Sequence, residues 1–228
     1  MKNWSKIWNK EERVSGAILE ILIKADGFDF GAGAFNLNNW KVYTDKLISR
    51  LDIGLEDAVF EVGCGSGAFL YPFFKRGNSV GGLDFSEVLI ELASTVMREG
   101  KFVVAEAAHM DINKKYDLVL SHGVFHYFPN HEYAELVLGK MIEKSKNKIA
   151  ILDVNDKEKE QEYHLIRSQG LNAEEYNEKY KDLEHLFYEK EWFVNFANKN
   201  GLKIDVFDQD FKEYGNSKLR FNVIMERL

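Results

Sequence analysis

The chain has 228 residues, 45% hydrophobic and 29% charged, which suits one folded domain or a core domain with a smaller cap and excludes a disordered chain. Its net charge of -7 disfavours nucleic-acid backbones and anionic lipid, so neither is an expected partner. The single cysteine, Cys64, excludes an internal disulfide framework and a cysteine-rich metal site and fits a reducing compartment.

The opening residues, MKNWSKIWNKEERVSG, lack the apolar stretch of a signal peptide, and no segment approaches the ~20 apolar residues of a membrane span, so a cytoplasmic location is expected. Val14, Ala17, Ile18, Ile21 and Leu22 recur at helical spacing, and Trp4 and Trp8 share a helix face expected to pack on the core. DGFDFGAGAFN, Asp26 to Asn36, reads as a loop. It either closes over a ligand through Phe28 or Phe35 with its glycines as hinges, or simply connects two helices. Trp40 to Leu51 resumes a helical pattern, so residues 1–51 form a helical cap whose aromatic surface would support a homodimer.

From Ala58 the pattern becomes short apolar runs alternating with helical segments. AVFEV (58–62), SVGGL (79–83), FVVAE (102–106), YDLVLS (116–121) and KIAILDV (148–154) are the expected strands. Helices are expected over Ala68–Lys75, Glu87–Met97 and His131–Lys144, the last capped by Asn130. This alternation argues for a parallel sheet covered on both faces. Residues 155–190, rich in charge and tyrosine, read as a helical lid with a capping box between Asn172 and Glu175; its run DKEKEQE is a solvated face. Trp192, Phe193, Phe196 and Ala197 mark a helix ended by Gly201, LKIDVF is a strand, and the alternation in LRFNVIME predicts a last, antiparallel strand with unlike faces.

The chemistry concentrates at FEVGCGSGAFLYP, which packs three glycines into five positions where the first strand turns into a helix. Such a turn lets something approach the backbone closely, and in a doubly wound sheet ligands bind there, outside the carboxyl ends of the strands. Gly63, Gly65 and Ala68 satisfy the looser dinucleotide fingerprint, so a nicotinamide cofactor and S-adenosylmethionine both fit at this point. Asp84 ends the second strand, where a carboxylate accepts from ribose hydroxyls, and Phe85 offers a flat surface for adenine. Glu61, buried inside the first strand, needs a strong partner such as a ligand ammonium or the backbone donors of the turn. Glu106 is placed to accept from the adenine amino group. Acids clustered around the turn suit a sulfonium ligand with an ammonium better than a pyrophosphate.

Together FEVGCGSG, GGLDFS, VVAEAA and YDLVLSHGVFHYF resemble the class I S-adenosylmethionine-dependent methyltransferases, in that family's order, from about Ala58 to Val154. The resemblance implies an α/β fold: a doubly wound, mostly parallel seven-stranded sheet of order 3-2-1-4-5-7-6 with strand 7 antiparallel. It implies one methyltransferase domain over 1–228, with the cap at 1–51, the cofactor core at 58–154, the lid at 155–190 and the C-terminal helix and strands at 191–228. It implies S-adenosyl-L-methionine as cofactor, with Glu61, Gly63, Cys64 and Gly65 at its methionine end and Asp84, Phe85 and Ser86 around the ribose. Glu106 and Ala107 would border adenine, and Ser121, His122 and Gly123 would meet the amino acid moiety. Glu106 departs from the usual Asp, which puts its direct contact in doubt. DGFDFGAG, FEVGCGSGAFLYPF, SHGVFHYFP and YGNSKLRFNV further resemble small methyltransferases of bacterial polysaccharide gene clusters, some associated with O-methyl phosphoramidate decoration of capsules.

The expected acceptor is a small polar molecule, methylated on oxygen. His126 is the first choice for general base or orienting group, with Tyr127 beside it; the alternative is a turn histidine and a packing tyrosine. In the lid, Arg167 would clamp an anionic group and His185 would line the acceptor site; the alternative is a solvated helix face. His109, His122 and His131 lack metal-ligand spacing, and no metal is expected. The rival readings are a nicotinamide-dependent oxidoreductase, although Tyr127 lacks a lysine four positions on, and a non-catalytic adenosylmethionine-binding module.

Overall fold

The computed structural model describes residues 17–29, 34–168, 170, 172, 174, 175, 178, 181 and 184–228. Trp4, Trp8 and the candidate hinges Gly31 and Gly33 lie outside the described residues. Among the described residues, two helices, α1 (Ile18–Ala25) and α2 (Leu37–Leu51), precede the sheet, and the Asn36 side chain caps α2 by accepting from the Asn39 amide at 2.8 Å.

There follow β1 (Val59–Val62), α3 (Tyr71–Arg76), β2 (Val80–Asp84), α4 (Glu87–Val96), β3 (Lys101–Val104), β4 (Tyr116–His122), α5 (His131–Lys144) and β5 (Ser145–Asn155). After the lid helix α6 (Glu160–Arg167) come α7 (Lys190–Lys199), β6 (Leu202–Asp208) and β7 (Arg220–Arg227). The seven strands form one sheet in the order β3-β2-β1-β4-β5-β7-β6. β7 runs antiparallel to both β5 and β6, and β1 to β5 pair in parallel, as expected. Among the described residues no helix is long and apolar enough to cross a membrane.

Strand alternation divides the core. Leu118, Leu120, Ala150 and Leu152 face a layer with Leu22 of α1, Trp40 of α2 and Ile90 of α4. Val119, Ile149, Ile151 and Val223 face the opposite layer with Leu138 of α5 and Phe193 of α7. Each such fully buried side chain is worth ~1.5–3 kcal/mol, so the sheet is held from both sides.

Three details differ from the sequence reading. α3 starts at Tyr71, not Ala68, with Pro72 in its first turn where no amide hydrogen is needed. β3 ends at Val104 on the sheet edge, so Glu106 lies beyond the strand and not at its end. β7 has unlike faces, but both are covered: Phe221, Val223 and Met225 enter the α5–α7 layer, while Arg220 and Asn222 are also buried. In the lid, the Asn172 amide donates to Glu175 at 2.8 Å and the Glu175 amide donates to Asn172 at 3.0 Å, a reciprocal capping pair. The chain returns at Tyr188, which bridges Asp156 beside the end of β5.

Candidate active site

The carboxyl ends of β1, β2 and β4 open into one cavity, and hydrogen bonds fix the glycine turn beneath it. The amides of Gly63 and Cys64 donate to the Leu83 carbonyl at 2.8 and 2.9 Å, tying the turn to β2. Asp84, at the tip of β2, accepts from the Gly65 amide at 3.0 Å and the Ser86 amide at 2.8 Å. Asp26, just past α1, accepts from the Ser66 amide at 2.6 Å and the Ala68 amide at 3.3 Å, laying the cap against the turn.

Gly63 and Gly65 have φ of 73° and 51°, the left-handed region that disfavours other residues. A Cβ at Gly65 would sit 2.4 Å from Asp26 Oδ1, and one at Gly63 would sit 2.5 Å from Val124 Cγ2. These glycines therefore make room for the protein's own side chains, Asp26 and Val124, which help wall the cavity.

Of the twelve residues expected around the cofactor, nine line this cavity: Glu61, Gly63, Cys64, Gly65, Asp84, Phe85, Ala107, His122 and Gly123. The other three do not. Ser86 is buried as the cap of α4, accepting from Leu89 at 3.4 Å. Ser121 is buried with its hydroxyl donated to the Val62 carbonyl at 2.9 Å. Glu106 is exposed, and Ala105 takes the place at the wall expected for it. Phe28, one of two loop aromatics singled out, lines the cavity, while Phe35 is buried against Trp40 and Tyr43.

Three carboxyl groups share this end of the cavity, and burial pushes all three above the ordinary carboxylate range. Asp26 rises to about 7, its backbone hydrogen bonds offsetting only part of the desolvation. Glu61 is raised well above its ordinary value by burial, to which the negative charges of Asp26 and Asp84 add. Asp84 is raised by burial, against the pull of the Ser86, Gly65 and Phe85 amides. Glu61 is 2% exposed, and its Oε2 has no hydrogen-bond partner. A buried acceptor without a partner, among three acids whose ionised forms are disfavoured, fits a ligand that brings a positive charge and hydrogen-bond donors, which would favour the ionised forms.

His122 at the end of β4 is stacked on Phe69 at 4.6 Å between ring centres and hydrogen-bonded to the Tyr43 hydroxyl at 2.8 Å. Burial lowers its pKa to about 4, so it stays neutral.

Beyond the loop after β4 lies a second cluster with a different character. Tyr127 lines the cavity; His126, behind it, is buried and does not. Their rings are 4.2 Å apart, and His185 of the lid lies 4.9 Å from His126 and 5.1 Å from Tyr127. His185 is joined to the Tyr163 hydroxyl, to which Arg167 Nη1 also donates at 2.9 Å. The fold thus gathers all four residues expected for catalysis and acceptor binding. His126 Nδ1 faces Arg220 Nη1 at 3.5 Å, and burial and that guanidinium hold its pKa well below the usual histidine value. Burial likewise raises the Tyr127 phenol far above its ordinary value.

Sequence reasoning missed Asp26, Phe69, Leu83, Leu89, Val124 and Phe128 of the cavity wall, and Asp153 and Arg220 of the second cluster. A usable signal existed for the last pair: an arginine alternating within an apolar strand, and an aspartate closing the apolar run KIAILDV, are both buried charges awaiting a partner.

Residues 59–142 match the family model described as a methyltransferase domain. No curated protein matches the sequence. Among solved structures, the chain is similar to the magnesium protoporphyrin IX methyltransferase of Synechocystis PCC 6803 with bound S-adenosylhomocysteine, at 17% identity and a TM-score of 0.62, over 92% of this chain and 98% of that one. It is similar to an S-adenosylmethionine-dependent methyltransferase of Clostridium acetobutylicum ATCC 824, at 13% identity and TM-score 0.61, over 99% of this chain and 98% of that one. The N-methyltransferase NodS of Bradyrhizobium japonicum WM9 aligns at 11% identity and TM-score 0.59, over 85% of this chain and 99% of that one. At these identities the likeness establishes the fold.

Proposed function

We propose that the protein is an S-adenosylmethionine-dependent methyltransferase acting on an oxygen of a small polar acceptor. The observation that carries this reading is the cavity at the ends of β1, β2 and β4, where the orphan Glu61 carboxylate stands with Asp26 and Asp84. The match of residues 59–142 to a methyltransferase domain and the shared fold support it. A nicotinamide cofactor would bring a pyrophosphate, an anion with acceptors only, against the same three acids and would push their pKa values further up instead of supplying the cation that Glu61 lacks.

In this reading Asp84 holds the ribose hydroxyls, Phe85 and Ala107 border the adenine, and Glu61 receives the ammonium. When bound, S-adenosylmethionine would supply an electrophilic methyl group to an acceptor oxygen that arrives ionised, so that the chain has no proton to remove. The chain's own work is to bind, orient and exclude water, which is where much of the rate of an in-line displacement originates. His126 is a poor proton acceptor as placed: its Nδ1 already faces the always-protonated Arg220, and its conjugate acid is strongly disfavoured. It therefore acts as an orienting group, and Tyr127, protonated at neutral pH, as a hydroxyl donor. The acceptor class is a sugar, sugar nucleotide or phosphoramidate intermediate of capsule or polysaccharide assembly, the class carried by the resemblance of DGFDFGAG, SHGVFHYFP and YGNSKLRFNV.

Incubation of the purified protein with S-adenosylmethionine and a panel of sugars, sugar nucleotides and phosphorylated metabolites tests the proposal. Acceptor-dependent formation of S-adenosylhomocysteine is the expected result. Acceptor-dependent change in nicotinamide absorbance, without S-adenosylhomocysteine, would overturn it.

A further inference from the structure

His122 closes β4, and its ring lines the cavity, stacked on Phe69. Which of its two ring nitrogens carries the proton is decided by the hydrogen bond that the other one makes. Here that bond is the last of a series running through buried side chains from β7 to the N-terminal cap.

The series starts at a backbone amide, which can only donate. The Asp153 N–H donates to Asn222 at 2.9 Å, so the atom it meets is the amide oxygen Oδ1, and Asn222 Nδ2 points elsewhere. Nδ2 donates to Gln209 Oε1 at 3.4 Å, which leaves Gln209 Nε2 to donate to the Tyr43 hydroxyl oxygen at 2.9 Å. The hydrogen of that hydroxyl has one remaining partner among the described residues, His122 Nε2 at 2.8 Å. Asn222, Gln209 and Tyr43 are all buried, so water does not compete for these bonds. Burial and the negative charge of Asp153 keep the Tyr43 phenol protonated, and its hydrogen is there to give.

His122 Nε2 is therefore an acceptor, and the neutral ring, whose pKa burial lowers to about 4, carries its single proton on Nδ1. Nδ1 makes no hydrogen bond among the described residues. Unlike Glu61 Oε2 it is not sealed in the interior, so it is reached through the cavity that the ring lines.

The position of this donor relative to Glu61 follows from strand register. Glu61 of β1 pairs with Leu120 of β4, and His122 stands two residues further along β4 on the same face. That places it ~7 Å beyond Glu61 along the strands and ~5 Å across. An α-amino acid carries its ammonium and its carboxylate on one carbon. With the ammonium at Glu61, the carboxylate needs a nearby donor in a cavity otherwise walled by acids and apolar side chains, and an uncharged donor does not compete with the ammonium for those acids.

We infer that Tyr43, backed by Gln209 and Asn222, is a positioning residue that fixes the proton on His122 Nδ1, and that this N–H donates to the carboxylate of the bound cofactor. The ligand half of the inference rests on the methyltransferase reading; the proton half stands on the protein's own hydrogen bonds.

Nitrogen-15 NMR of histidine-labelled protein at neutral pH tests the proton half. The wild type should show His122 as one tautomer, protonated at Nδ1, and Tyr43→Phe should show that tautomer diluted by the one protonated at Nε2. A wild-type His122 protonated at Nε2 would overturn the inference. Calorimetric titration with S-adenosylhomocysteine, and with its analogue that keeps the ammonium but lacks the carboxylate, tests the ligand half. Tyr43→Phe should weaken S-adenosylhomocysteine by about 3- to 10-fold, because the competent tautomer becomes only a fraction of the population, and should leave the analogue unchanged. Equal weakening of both ligands would reduce Tyr43 to a structural role, and no weakening of either would equally overturn the ligand half. Binding of neither ligand to the wild type would sink the cofactor reading and the carboxylate assignment together, while an Nδ1-protonated His122 would leave the role of Tyr43 standing.

Discussion

The two ends of the site are built from opposite charges. At the ends of β1 and β2, Asp26, Glu61 and Asp84 surround an orphan acceptor, and each carboxyl is pushed toward its neutral form. Beyond the loop after β4, the buried Arg220 faces the Asp153 carboxylate and the His126 ring, and His126 and His185 are held neutral by burial and by the nearby guanidinium groups. The acidic end leaves Glu61 Oε2 without a hydrogen-bond partner beside a cavity, whereas the basic end packs its guanidinium against a carboxylate and a neutral ring behind the cavity wall. The contrast is between an end whose acids wall a cavity and an end whose charges are packed behind that wall.

Asp84→Ala should break the acidic end most completely. It removes a carboxylate that accepts from both Gly65 and Ser86, and S-adenosylhomocysteine affinity measured by calorimetry should fall by about 100-fold. Gly65→Ala should act through the backbone: a left-handed alanine whose Cβ meets Asp26 should cost about 1–3 kcal/mol in a denaturant titration. At the basic end, His126→Asn should lower turnover by only about tenfold, because loss of a true general base costs about 10²–10⁴ in rate. A larger drop, together with loss of an ionisation from the pH–rate profile, would return His126 to the role of base.

The same division governs what could be read before the structure. The acidic end follows from a contiguous motif, and Glu61, Gly63, Gly65 and Asp84 fall in one wall because β1 and β2 are adjacent parallel strands. Asp26 escaped because it belongs to no pattern; only the docking of α1 onto the turn brings it there. The basic end is assembled from Asp153, His126, His185 and Arg220, four positions on separate elements, joined by the antiparallel return of β7 and by the lid. The alternation in LRFNVIME revealed the strand but suggested a polar face, where the structure buries a charge. The alternation of strands and helices gave a parallel sheet covered on both faces, and the strand order came with the family resemblance; the β5 bulge was not legible, since KIAILDV reads as an uninterrupted apolar run.

The most direct test of a cation-binding acidic end is titration calorimetry of S-adenosylmethionine and NADH into the ligand-free protein at pH 6 and pH 8. The Asp26 carboxyl, held near 7, is largely protonated at the lower pH and ionised at the higher, so its attraction for a cation appears as pH rises. S-Adenosylmethionine should bind about tenfold more tightly at pH 8 than at pH 6, Asp26→Asn should flatten that difference, and NADH should not bind. Binding of NADH, tighter at pH 6 than at pH 8, with S-adenosylmethionine excluded, would contradict the account.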